Sequence, residues 1–85
     1  MKIIYSSKFV REYKKIPRHI KTIAEKREKI FRENPFNDQL DTHKLHGRLR
    51  DFWSFSIGSK YRIIFELGDR GITYFHSVGN HDVYQ

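Results

Sequence analysis

Apolar residues change their spacing near the middle of this chain. Phe9, Val10, Tyr13 and Ile16 recur three and four apart, the spacing that brings side chains to one face of an α-helix. Ser6 or Ser7 can cap that helix, since a hydroxyl accepts from the unpaired amides of a first turn. Pro17 interrupts the run and suits the first turn of a second helix. There Ile20, Ile23, Ala24, Arg27, Ile30 and Phe31 trace one face, while Lys21, Glu25, Lys26, Glu28, Lys29 and Glu33 cover the rest. Asn34-Pro35 ends it. Ahead of both helices, Lys2-Ile3-Ile4-Tyr5 reads as a short strand.

Residues 36–44 follow neither period and read as a loop, and Leu45-His46-Gly47 as a brief strand or bend. Beyond it the period becomes two. Trp53, Phe55 and Ile57 alternate with Ser54 and Ser56; Tyr61 to Leu67 is the longest strand signal, and Ile72 to Val78 is the last. Gly58-Ser59-Lys60 and Gly68-Asp69-Arg70-Gly71 are the turns between them. The pattern predicts an α+β fold, β-α-α-β-β-β, in which a small antiparallel sheet carries a helical hairpin on one face. Trp53, Phe55, Ile57, Tyr61, Ile63, Phe65 and Leu67 should meet the helices, leaving Ser54, Ser56, Arg62, Ile64 and Glu66 on a partly open face. Ile72, Tyr74 and Val78 compete with Phe75 for the phase of the final strand.

The chain has 85 residues, which predicts one domain over 1–85, because so short a chain buries only about 60–65% of its unfolded surface and cannot divide its core. It has no cysteine, which removes thiolate metal sites and thiol nucleophiles and favours the reducing cytoplasm. No apolar stretch matches a signal peptide or a membrane span. The net charge of +7 points to a polyanionic partner, nucleic acid before membrane, with an acidic protein also compatible.

Candidate chemistry gathers in the second half. Arg62 is a cation set into a strand, on a face where packing does not require it. His81 and Tyr84 follow the last strand, and His43 and His46 flank Lys44-Leu45 in the loop entering the sheet. Imidazoles at two ends of one cleft can supply a base and an acid, although each of them also reads as a solvated loop histidine. Tyr84 is either a stacking ring or a clamp on the C-terminal end. Lys44, Arg48, Arg50, Lys60 and Arg62 form the densest basic run, suited to a nucleic-acid backbone. His43-x-x-His46 with His81 is a weak zinc pattern outside a helix. Gly58-Ser59-Lys60-Tyr61 lacks the features of a phosphate-binding P-loop, and Ser54 is not on a nucleophile elbow.

These segments also carry a resemblance. His43-Lys-Leu-His-Gly47, Trp53-Ser-Phe-Ser-Ile57, Tyr61-Arg-Ile-Ile-Phe65 and Ser77-Val-Gly-Asn-His-Asp-Val-Tyr84 resemble the small toxins of type II toxin–antitoxin modules, the superfamily that includes RelE, YoeB, YafQ and ParE. The resemblance implies a ribosome-dependent mRNA endoribonuclease without a cofactor or metal, bound in the cell by a cognate antitoxin. It implies that Arg62 contacts the scissile phosphate, that His81 and His43 share the acid–base work in an order left open, and that Tyr84 orients the substrate nucleotide. Lys44, His46, Arg48, Arg50, Lys60, Ser54 and Ser56 would line the RNA path. Ser54 and Ser56 stand where RelE has lysines, which draws the arrangement toward YafQ and YoeB. Two alternatives follow from the same resemblance: a ParE-like gyrase inhibitor that cuts no RNA, and a degenerate module that binds RNA or antitoxin only.

Overall fold

Ser6 ends the first strand and starts the first helix. Its hydroxyl accepts from the Phe9 amide at 2.9 Å and donates to the His76 carbonyl at 2.7 Å, so one side chain caps a helix and ties it to the sheet. A computed structural model describes residues 1–80. Within them the order is β1 (Lys2–Tyr5), α1 (Ser7–Lys15), α2 (Arg18–Glu33), β2 (His43–Lys44), β3 (Trp53–Ser56), β4 (Tyr61–Leu67) and β5 (Ile72–Asn80). Single 3-10 turns at Asp38–Leu40 and Gly47–Leu49 flank β2. No helix among the described residues is long and apolar enough to cross a membrane.

The strands lie in the order β1-β5-β4-β3-β2. The meander β3-β4-β5 is antiparallel, as the short turns between its strands predict. Two features go beyond it. β1 pairs with β5 in parallel, Ile4 beside Tyr74, and the short β2 adds a fifth strand, His43 beside Ser54. Alternation identifies the faces of a strand but carries no record of its neighbours, so the parallel edge was not legible in it.

The phase of β5 was ambiguous for a physical reason. Ile64 pairs with Ser77 whereas Phe65 pairs with Phe75, so His76 is an extra residue, a β-bulge that shifts the alternation partway along the strand. Thr73 and Phe75 before it, and Val78 after it, are all buried.

The core lies between the helices and one sheet face. Phe31 of α2 is fully buried, with its ring centroid 4.7 Å from Phe55, 4.8 Å from Phe65 and 5.3 Å from Phe75. Leu40 is fully buried too, although its segment reads as a loop. The 3-10 turn carries it inward, held by the Asn37 side chain, which accepts from the Gln39 amide at 2.8 Å, and by Arg27, which donates to the Gln39 carbonyl at 2.6 Å.

The opposite face was expected to be partly open, and over its middle it is closed. Ser54 and Ile64 are each 1% exposed. Phe52, just before β3, reaches across β4 to His76, with ring centroids 4.8 Å apart.

β1 ends opposite Phe75, and a side chain of α1 takes over the edge of β5 beyond it. Glu12 accepts from Ser77 Oγ at 2.7 Å, from the Val78 amide at 3.1 Å and from Lys8 Nζ at 3.1 Å. Partial burial pushes the Glu12 carboxyl upward, but the hydrogen bonds from Ser77, Val78 and Lys8 outweigh it and hold the group below its ordinary range. A carboxylate with a lowered folded-state pKa adds stability that is complete above its unfolded value and is lost as pH falls through the folded one. Glu12→Gln is therefore expected to destabilise the fold by about 1–2 kcal/mol at neutral pH. In urea titrations the gap from the parent should close as pH drops below the ordinary glutamate range. A gap that stayed constant with pH would assign the effect to packing instead.

Candidate functional site

β3 and β4 place Ser54, Ser56, Arg62 and Ile64 on the face away from the helices, and β2 adds His43 to it through its pairing with Ser54. Arg62 reaches along that face toward β2. Its Nε donates to Ser54 Oγ at 3.0 Å, Nη2 donates to the Ser54 carbonyl at 3.3 Å and to the Asp41 carbonyl, and Nη1 faces Asp41 Oδ2 at 3.4 Å. All three guanidinium nitrogens are engaged, and the side chain is only 18% exposed. Arg62 is thus not superfluous to packing, contrary to the sequence-based expectation. It fastens the loop before β2 to the centre of the sheet.

Asp41 has a second partner. Its Oδ1 lies 3.0 Å from His43 Nε2. One carboxylate therefore joins a fixed cation and an imidazole that are 19 positions apart in sequence. Both side chains face the same small region around the Asp41 carboxylate. Asp41 was not among the candidates read from the sequence. The available signal was weak: an acid two positions before a candidate histidine, at a turn residue type that tolerates a positive φ.

The other candidates separate into groups. Ser54 is buried and meets Arg62, so it acts on the site through that side chain and not as a surface contact. Ser56 Oγ donates to the Gly58 carbonyl at 2.7 Å and shapes the β3–β4 turn. Lys44 turns to the helix side, its Nζ 5.1 Å from the centre of the Trp53 ring, a cation–π contact that takes it away from Arg62. His46, Arg48, Arg50 and Lys60 are exposed, the first three in the loop between β2 and β3 and the last in the turn before β4. His81 and Tyr84 lie outside the described residues; β5 is described as far as Asn80, with Gly79 paired to Arg62. Among the described residues, no three His, Asp or Glu side chains are grouped to hold a metal ion.

This arrangement can bind a small oxyanion. A guanidinium supplies a planar fork of donors and the neighbouring imidazole can add one more. Both currently face a carboxylate, which has the charge and the paired oxygens of a phosphodiester.

Comparison with known proteins bears on the fold and the family. No curated protein matches the sequence. Solved structures share the fold, among them the following three. YafQ from E. coli strain BL21(DE3) is 16% identical, with 95% of this chain and 93% of that one covered and a TM-score of 0.80. A YoeB/ParE toxin from Agrobacterium tumefaciens is 15% identical over 95% of this chain and 99% of its own, TM-score 0.81. The RelB–RelE antitoxin–toxin complex from Methanococcus jannaschii gives 22% identity over 94% and 92%, TM-score 0.74. At such identities the likeness establishes the fold. The family itself comes from the sequence: the model of the ParE toxin of type II toxin–antitoxin system, parDE, matches residues 3–82. With nearly the whole chain matched and the expected α+β sheet in place, this protein belongs to the ParE toxin family of type II toxin–antitoxin systems, within the RelE/ParE superfamily.

Proposed function

We propose that this toxin is an endoribonuclease that cuts mRNA on the translating ribosome and so stops protein synthesis in the cytoplasm. The observation that carries the reading is the convergence of Arg62 and His43 on one carboxylate, at 3.4 and 3.0 Å. Cleavage by attack of a ribose 2′-OH on its own 3′-phosphate needs a base at the hydroxyl, an acid at the leaving 5′-oxygen and positive charge at the crowded phosphate. Arg62 provides that charge. His43 and His81 share the proton transfers, one accepting from the 2′-OH and the other donating to the 5′-oxygen. Tyr84 stacks on the nucleotide next to the cut, because an aromatic ring accepts an unstacked base of any identity. His46, Arg48 and Arg50, in the loop between β2 and β3, and Lys60, in the turn before β4, hold RNA backbone. The net charge of +7 supplies the long-range attraction.

A cognate antitoxin is the second partner in this reading. RelE from Methanococcus jannaschii is seen bound to RelB, and so basic a surface suits an acidic segment laid over it.

One observation favours another reading. The family model that matches is described by ParE, and ParE-like toxins would inhibit DNA gyrase without cutting RNA. The two are separated by a reconstituted translation reaction with purified protein, in which 5′ ends of the mRNA are mapped, run beside a gyrase supercoiling assay. New mRNA ends that require ribosomes are expected, with supercoiling untouched. Intact mRNA together with lost supercoiling would replace the nuclease by the gyrase reading.

A further inference from the structure

Asp41 stands at φ 51°, at the end of the Asp38–Leu40 turn. That is the left-handed region, which Gly, Asn and Asp enter far more readily than other residues. The conformation turns both its carbonyl and its carboxylate toward the sheet, where they meet Arg62 and His43. The Asp41 side chain is 62% exposed and the Arg62 side chain 18%, so the carboxylate lies on the solvent side of the cation. An incoming anion reaches Arg62 from that side. Beneath it, Ser54 holds Arg62 through Nε at 3.0 Å and Nη2 at 3.3 Å, contacts that do not depend on the Asp41 carboxylate.

We propose that Asp41 is a built-in surrogate for the substrate phosphate, a positioning residue that keeps Arg62 and His43 aimed at one point and yields its place when a phosphodiester arrives. The charge argument is direct. Two anions cannot share one guanidinium edge and one imidazole without repulsion, so phosphate binding requires the carboxylate to leave. Leaving costs little, since an ion pair with a well-exposed partner is weak. Arg62 stays oriented by Ser54, and Nη1 becomes available for the phosphate fork. The surrogate also spares the free protein a semi-buried guanidinium without a counter-charge. The inference rests on the reading of Arg62 and His43 as phosphate-facing groups, and it adds a competitor that lowers their affinity for free anions.

The test is a titration of the full chain with inorganic phosphate at constant ionic strength, followed by NMR of the His43 ring and the Arg62 Nε–H. Wild type is compared with Asp41→Asn and Asp41→Gly. Both replacements tolerate the left-handed conformation, the first keeping the shape and the second removing the side chain. Phosphate is expected to move both signals in all three proteins and to bind about two- to fivefold more tightly in the two variants. Equal or weaker binding in both variants overturns the proposal and leaves Asp41 a purely structural tether, as does a titration in which neither signal moves. Ribosome-dependent mRNA cleavage is scored separately on the same samples. Tighter phosphate binding with no cleavage by wild type supports the surrogate and removes the nuclease. Cleavage with unchanged phosphate affinity removes the surrogate and leaves the nuclease standing.

Discussion

Arg62→Ala is expected to lower the single-turnover rate of mRNA cleavage on ribosomes by about 10²–10³, the usual cost of deleting one preorganised charge beside a reacting oxyanion. The structure adds a second consequence. Removing the guanidinium deletes its hydrogen bonds to the buried Ser54 and to the Asp41 carbonyl, which costs about 1–3 kcal/mol of stability. The variant must therefore be assayed well below its unfolding midpoint, with circular dichroism on the same sample. Arg62→Lys separates the two effects. An ammonium restores a point charge but cannot reach Ser54 and Asp41 in the pattern of a planar fork, so little activity should return. Growth arrest by a folded Arg62→Ala protein would remove the phosphate role assigned to this residue.

Phe31→Ala carries the largest expected cost in stability, about 3–5 kcal/mol in urea denaturation. Its ring touches Phe55, Phe65 and Phe75 on three neighbouring strands, and packing on this side of a sheet leaves no solvent to refill the space. A domain of this size is stabilised by only about 4–13 kcal/mol in total. The loss should pull the thermal midpoint down by more than about 10 °C. Phe36 is the control. It is 47% exposed and meets Trp53 edge-on at 5.0 Å, so Phe36→Ala should cost about 1 kcal/mol or less. Equal costs at the two positions would contradict the placement of the core.

Most of the architecture follows from local pattern. Apolar residues three and four apart make α1 and α2, and Ser6 and Asn34-Pro35 bound them. Alternation marks the inward faces of β3 and β4 except at Leu67, expected inward but 42% exposed at the end of β4. These are short-range properties: each depends on the geometry of one element and on which of its faces water leaves. The family resemblance was legible too, in residues 43–84, and the family match over 3–82 agrees with it.

What the pattern left undecided depends on partners distant in the chain. The parallel β1–β5 pair joins the two ends of the described fold, and the bulge at His76 shifts a period that alternation assumes constant. Leu40 looks like a loop residue until a 3-10 turn carries it into the core. Arg62 looks dispensable for packing until Ser54 and Asp41 are brought to it. No rule of spacing announces Asp41, because its role comes from one left-handed backbone angle that points a carboxylate at two side chains from different strands. Period and composition report how much surface an element buries; which charges meet at short range is settled by register and turn geometry, and the candidate site is made of those meetings.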